Sequence, residues 1–153
     1  MTELEMREFF EGDYEKYIKS LTKENMQKLF LENFGGWSDL VSQEKFFKVL
    51  AEGYVKLFFL KNSFIGYISF NQEENNKHSY LIHDIHILKE FQGKGYGTKI
   101  LNFVISKCKE LKAKQIKLFV FKNNPATEFY KKNDFKEIEY LEKSNTSVML
   151  KLL

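Results

Sequence analysis

A chain of 153 residues has the length of one ordinary domain, and 43% apolar with 16% aromatic residues is material for a sizeable core, which excludes a disordered segment. The net charge of +3 rests on 24 basic residues of which only Arg7 is an arginine, so the side chain suited to bidentate phosphate and base contacts is almost missing and no nucleic-acid partner is expected. The single cysteine, Cys108, excludes an intrachain disulfide and points to a reducing, cytoplasmic location.

The first residues, Met1 to Glu5, are acidic and mixed, unlike a secretory signal, and no apolar run approaches the roughly 20 residues of a membrane helix. No repeat, low-complexity tract or Pro/Gly-rich linker divides the chain, so residues 1–153 are expected to form a single domain. Residues 4–10 suit a short first strand. From Asp13 to about Phe34 the apolar spacing is helical, with Thr22 as a cap between two stretches and Gly35-Gly36 as the end. Ser42 is the expected cap of a further helix through Phe46, Phe47 and Leu50.

Strand character begins at Val55. Val55–Leu60, a turn at Lys61-Asn62-Ser63 and Ile65–Phe70 read as a hairpin, and a polar loop at Glu73–Lys77 leads to a strand over Ser79–Leu88. A glycine loop follows, then a helix from about Gly97 to Lys112 whose Ile100, Leu101, Val104, Ile105, Cys108 and Leu111 share one face. Cys108 on that face reads as core rather than nucleophile. Ile116–Phe121 is a strand, Pro125–Lys132 a short helix opened by the only proline, and residues 135–141 and 146–152 are closing strands. The unit from strand 79–88 through the helix to strand 116–121 is a βαβ crossover, hence a parallel pair. The others look like hairpins, so the class is mixed α/β (α+β).

The chemistry concentrates in Gln92-Gly93-Lys94-Gly95-Tyr96-Gly97, which joins strand to helix. Such a loop turns several N–H groups inward at a helix N-terminus, where an anion is attracted, and Lys94 adds a positive charge. A Walker loop would need Lys followed by Ser or Thr after four spacer residues, and a Rossmann fingerprint a third glycine two residues past Gly97; neither is present. A tight turn without a ligand is the competing reading. No His, Cys or acidic cluster has metal-ligand spacing, so no metal is expected.

Two motifs together carry a family resemblance. Ile85-x-Ile87-x-x-x-x-Gln92-x-x-Gly95-x-Gly97 resembles the acetyl-CoA signature of the GNAT family of N-acetyltransferases, and Asn124-Pro125-Ala126-Thr127-Glu128-Phe129-Tyr130, followed by Asn133-Asp134-Phe135, is similar to its Asn-Pro-Ala…Leu-Tyr…Gly-Phe segment. Asp134 departs from the usual glycine, but Asp tolerates left-handed backbone better than most residues.

The resemblance implies a mostly antiparallel sheet with a central parallel βαβ pair and helices on both faces. Residues of about 1–51 would then form a helical acceptor-side region, and about 52–153 the acetyl-CoA-binding core. It implies acetyl-CoA as donor, held by Ile85, Ile87, Gln92, Gly93, Lys94, Gly95, Tyr96, Gly97, Thr98 and Tyr130, with either Asn123 or Asn124. It implies direct transfer to a small-molecule or peptide amine, with Tyr130 as the acid for the departing thiolate and a strand backbone near Ile85–Ile87 receiving the oxyanion.

His83 is the expected base, because it shares strand parity with Ile85 and Ile87; Asp84, His86 and Glu90 stand behind it. Half-buried strand positions are the plainer reading of His83 and His86. Trp37 and Asp39, after the paired glycines, are the expected acceptor-binding residues, with Glu32 a second carboxylate in the region. A ribosomal-protein N-terminal acetyltransferase is a second reading, but Leu118–Phe121 lacks the glutamate such enzymes often carry there. A non-catalytic acyl-CoA sensor is a third. The family implies a monomer or homodimer.

Overall fold

The computed structural model describes residues 3–153. Seven strands form one sheet: β1 Glu5–Glu8, β2 Tyr54–Leu60, β3 Ser63–Glu73, β4 Asn76–Ile87, β5 Gln115–Phe121, β6 Lys136–Leu141 and β7 Thr146–Leu152. Their order is β1-β2-β3-β4-β5-β7-β6. The β4–β5 pair is parallel, as the crossover required, and the other five are antiparallel, of which β2–β3, β3–β4 and β6–β7 join consecutive strands. Four helices cover the sheet: α1 Lys19–Phe34, α2 Asp39–Glu52, α3 Tyr96–Glu110 and α4 Ala126–Lys132.

Local chemistry explains most boundaries. Lys61 and Asn62 take φ of 46° and 68°, the two-residue turn whose twist suits a hairpin, so β2 runs straight into β3. Gly35, at φ 85°, closes α1. Asp134 stands at φ 68° where the resemblance offered a glycine, and Phe135 beyond it is 2% exposed, so the turn survives the exchange.

Two expected caps are corrected. Thr22 starts no helix: Tyr14–Ile18 is a π-helical turn that continues into α1, and the Thr22 hydroxyl donates to the Ile18 carbonyl at 2.9 Å from inside it. Ser42 lies within α2; the cap is Ser38, whose Oγ accepts from Val41 N at 3.2 Å. The expected first strand is present as β1, an edge strand on β2.

Two cores sandwich the sheet. Ile100, Leu101, Val104 and Cys108 of α3 pack with Ile68, Phe70, Ile82, Ile116 and Leu118 on one face, as the three- and four-residue spacing required. Burial pushes the Cys108 thiol up to about 12, which makes it an inert core side chain. On the other face Tyr14, Ile18, Leu21 and Phe46 pack with Val55, Leu57, Phe59 and Tyr67. The sole arginine secures this side: Arg7 pairs with Asp13 at 2.8 and 3.1 Å and lies over the Phe10 and Phe59 rings.

Gly66 marks the closest approach in the sheet. A Cβ there would stand 2.3 Å from the His86 carbonyl oxygen of β4, a backbone atom that cannot step aside. Gly66→Ala should therefore cost about 2–3 kcal/mol, in the range of overpacked cores. Urea denaturation would report it as a lower midpoint at unchanged slope; a wild-type midpoint would contradict the close approach.

Candidate active site

The site begins with a lost register between two strands. β4 and β5 pair only over Ser79–Ile82 and Gln115–Leu118, although β4 runs on to Ile87 and β5 to Phe121. The cause lies on the other side of β4. Ser69 faces Asp84 but the next residue, Phe70, faces Ile82, so His83 is an extra residue in a β-bulge. The bulge bends β4 away from β5, and the two strands diverge beyond it. Each keeps its outer partner: β4 stays on β3 as far as Ile87, and β5 on β7 as far as Phe121.

The inner edges of the splay are therefore open. Leu88 N donates to Ile65 C=O at 2.8 Å, and the two-residue alternation of an antiparallel ladder aims the groups of His86 at β3 as well. Those of Ile85 and Ile87 point the opposite way, into the gap. The Ile87 carbonyl confirms the direction, since it accepts from Gln92 Nε2 at 2.8 Å rather than from a strand.

A cleft of about 1480 Å³ opens here. On one side stands the glycine loop. Gly93 and Gly95 take φ of 73° and 89°. The first helical hydrogen bond of α3 is Lys99 N to Gly95 C=O, so among the described residues the N–H groups of Gly93 through Thr98 find no acceptor in the chain. That is a cradle for an anion. Gly97 permits tight seating, with Phe129 and Ile87 side-chain atoms 3.4–3.5 Å from where its Cβ would be.

Gln92, Gly93, Gly95, Gly97, Thr98, Ile85, Ile87, Asn124 and Tyr130 all line the cleft, whereas Lys94, Tyr96 and Asn123 do not. Lys94 Nζ sits 6.0 Å from the Phe91 ring centroid, and Tyr96 packs on the same ring. Gln92 is a strut: its side chain holds Ile87 and its own N–H is spent on Lys89.

The two asparagines divide the roles that the sequence left open. Asn124 Oδ1 accepts from Ala126 N at 2.9 Å and so caps α4. Asn123 Oδ1 accepts from Asn33 Nδ2 at 2.8 Å and from Asn145 Nδ2 at 3.5 Å, and Asn145 Nδ2 reaches Asn33 Oδ1 at 3.0 Å. This triad ties the end of α1 to β5 and to the β6–β7 turn.

Tyr130, on α4, is 8% exposed, and its hydroxyl makes no hydrogen bond among the described residues. Burial, with a further push from the charge of Asp84, raises its pKa well above the ordinary tyrosine value, so the hydroxyl is a proton donor at neutral pH.

The bulge revises the parity argument for His83. Ile85 and Ile87 follow Tyr80 and Ile82 against the α3 core, whereas His83, the residue out of step, bonds through Nε2 to Asn71 Oδ1 at 2.7 Å and feels the charges of Lys45, Lys48 and Glu52 on α2. It is exposed and lines the cleft. An amide oxygen only accepts, so Nε2 carries the hydrogen and Nδ1 keeps a free lone pair. Partial desolvation of the ring lowers its pKa, against the opposing pull of Asp84.

The sequence did not foresee the array beside it. Asp84 accepts from Ser69 Oγ at 3.0 Å and lies 3.3 Å from His86 Nε2, and His86 Nδ1 meets Asn25 Nδ2 at 3.2 Å. Burial works against the charge on Asp84, but the His86 and Ser69 contacts outweigh it and hold the carboxyl below its usual range. Asp84 and His86 stood in the sequence as lesser candidates; Asn25 and Ser69 carried no signal, because only register and helix placement bring them there.

Of the expected acceptor residues, Trp37 lines the cleft, its ring 5.2 Å from Phe30 and nearly perpendicular. Asp39 does not. Its carboxylate accepts from Trp37 Nε1 at 2.8 Å and lies 3.6 Å from Lys23, so it holds the indole in place. Neither Glu32 nor Glu90 lines the cleft. Among the described residues no His, Cys or acidic group is gathered for a metal, and no helix is long and apolar enough to cross a membrane.

The Acetyltransferase (GNAT) family matches residues 5–135, and the chain belongs to that family. Solved structures share the fold at low identity. PaiA N-acetyltransferase from Thermoplasma acidophilum, in complex with coenzyme A, is 19% identical with a TM-score of 0.77, and the match covers 99% of both chains. Ard1 from Thermoplasma volcanium is 18% identical with a TM-score of 0.76, over 98% of this chain and 97% of that one. N-acetylglutamate synthase from Neisseria gonorrhoeae, complexed with coenzyme A and N-acetyl-glutamate, is 13% identical with a TM-score of 0.73, over 100% of this chain and 36% of that one. No curated protein sequence matches the chain.

The two asparagines can be separated by measurement. Asn123→Ala and Asn124→Ala should each lower stability by about 1 kcal/mol, or about 3 °C in melting temperature. Calorimetric titration with coenzyme A should then show wild-type affinity for Asn123→Ala and weaker binding for Asn124→Ala. The reverse order would put the cleft-facing role on Asn123.

Proposed function

We propose that the protein is an N-acetyltransferase that moves the acetyl group of acetyl-CoA directly to a primary amine, on a small molecule or at a peptide terminus. One observation carries this reading: the open inner edge of β4 at Ile85 and Ile87 lines the same cleft as the anion cradle before α3 and the proton-donating hydroxyl of Tyr130. The coenzyme A in two of the similar structures supports the donor.

The residues fit acetyl-CoA as donor substrate. The N–H groups of Gly93 to Thr98 suit its pyrophosphate, and the β4 edge suits an extended arm that needs backbone partners. An acceptor ammonium with a pKa of about 10.4 is almost wholly protonated at neutral pH. His83 Nδ1 takes that proton, directly or through water. The amine lone pair then attacks the thioester carbonyl carbon, forming the N–C bond as the C–S bond breaks. N–H groups on the β4 edge receive the negative charge that develops on the carbonyl oxygen, a contribution of roughly 3 kcal/mol in comparable sites. Tyr130 gives its proton to the departing thiolate and regains one from the second N–H hydrogen of the acceptor through solvent, so protons balance.

Tyr130→Phe should lower kcat about 10²-fold while acetyl-CoA affinity stays within about twofold. The readout is thiol release across a panel of amines and peptides. Unchanged turnover with intact binding would remove Tyr130 from the chemistry, and tight coenzyme A binding with no turnover on any amine would favour a sensor.

The pH profile makes a second prediction. His83 must be neutral, and partial desolvation lowers its pKa, so the acid limb of kcat/KM should fall below about pH 6.5, with activity lost as pH drops through it. Tyr130 must be protonated and its pKa is raised, so it should impose no alkaline limb below about pH 10. His83→Ala should abolish the acid limb. A limb that persists in that variant would assign the base elsewhere.

A further inference from the structure

The acceptor half of the cleft has a composition of its own. Met26, Leu29 and Phe30 of α1 turn toward the cleft instead of filling the core, and Phe34, Trp37 and Val41 rim its mouth. Phe30 is the hub of an aromatic set, with Phe34, Trp37 and Phe121 at 6.0, 5.2 and 5.2 Å, all close to edge-on. Phe119 faces the same space and is 55% exposed in the middle of a central strand, because β4 has turned away from it. These are wide apolar walls left wet.

Formal charge inside is scarce. Four charged side chains line the cleft: Glu24, Lys45 and Lys89 are exposed at its edges, and Asp84 alone lies inside, its side chain 26% exposed. Asp84 follows the bulge, opposite Ser69, and lines the same cleft as Tyr67 and Tyr130. Ser69 and His86 use two of its acceptor positions, which leaves room for an ammonium.

We propose that the acceptor is a monoamine carried on an apolar, ring-sized body: its ammonium meets Asp84, and its body lies along Phe30, Phe34, Trp37 and Val41. This rests on the N-acetyltransferase reading and names its substrate class. An acceptor with one positive charge and an otherwise apolar surface matches a pocket with one interior carboxylate and aromatic walls. A polyamine or a charged peptide would leave further charges against those walls unpaired.

The chain has one tryptophan, so Trp37 reports on this pocket without any turnover. Titration of the intact protein with 2-phenylethylamine should give a saturable change in tryptophan emission, while spermidine and glycinamide should give none at the same concentrations. Phe34→Ser, at a residue 67% exposed and thus dispensable for folding, should weaken the 2-phenylethylamine midpoint about tenfold. Asp84→Asn should weaken it at least as much, with neutral 3-phenylpropanol less affected.

Saturation by spermidine or glycinamide at lower concentration than 2-phenylethylamine, or no saturable change with 2-phenylethylamine, would overturn the proposal. So would an emission that shifts on dilution without any amine, which would mean that a second copy of the chain covers the rim. Calorimetry with acetyl-CoA on the same protein keeps the two readings apart. Absent donor binding sinks the acetyltransferase reading, whereas donor binding with a silent Trp37 sinks only the apolar acceptor.

Discussion

The structure depends on one extra residue in β4. A sheet satisfies its backbone by pairing strands along their length, and unpaired groups in a covered sheet are costly. Here the bulge at His83 ends the parallel pairing after four residue pairs and leaves two inner edges without strand partners. The chain meets that cost by keeping every outer pairing, β3 on β4 and β7 on β5, so the gap stays narrow and firmly walled. The result is a sheet with a backbone-lined slot at its centre, and an extended ligand that supplies hydrogen-bond partners restores what the bulge removed. Gly66 belongs to the same design, since the strand that bends is also the one its neighbour approaches most closely.

α1 serves as a beam across the slot. Near its middle Asn25 reaches His86 and the Ile87 carbonyl on one arm, at 3.2 and 3.4 Å. Toward its end Phe30 packs on Phe121 and Asn33 joins Asn123 and Asn145 on the other arm. One helix thus touches both arms while burying only Leu21 and Thr22 of its own residues. Its remaining apolar residues are held over open space by polar contacts at either end. That fixes the cleft's width with hydrogen bonds of modest individual worth, about 1 kcal/mol each, and leaves the apolar surface for whatever enters.

The glycine-loop side of the cleft was legible because its information is local. Glycines at 93, 95 and 97 between a strand and a helix specify an N–H cradle within six residues, and Asn124-Pro125-Ala126 specifies the start of the helix that carries Tyr130. The parallel pair followed from the same locality, since a βαβ crossover leaves few ways to join its strands. Where the reading failed, competition between neighbours decided. Ser38 and Ser42 are both plausible caps, and the exposed Leu40 and Val41 hid the true start of α2. The parity of His83 with Ile85 and Ile87 assumed an uninterrupted period of two, and a bulge has no signature of its own in a strand as mixed as Leu81-Ile82-His83-Asp84-Ile85.

The side of the cleft beneath α1 resists reading for the opposite reason. Thr22, Asn25, Tyr67, Ser69, Asp84 and His86 come from one helix and two strands, and only the completed register gathers them. The same bulge that opens the slot sets Asp84 and His86 on the α1 face opposite Ser69 and Tyr67, so the slot and the polar floor beside it have one geometric origin. A ligand bound by backbone can therefore be kept while the other half changes, because the walls over α1 and α2 alter without touching the loop before α3.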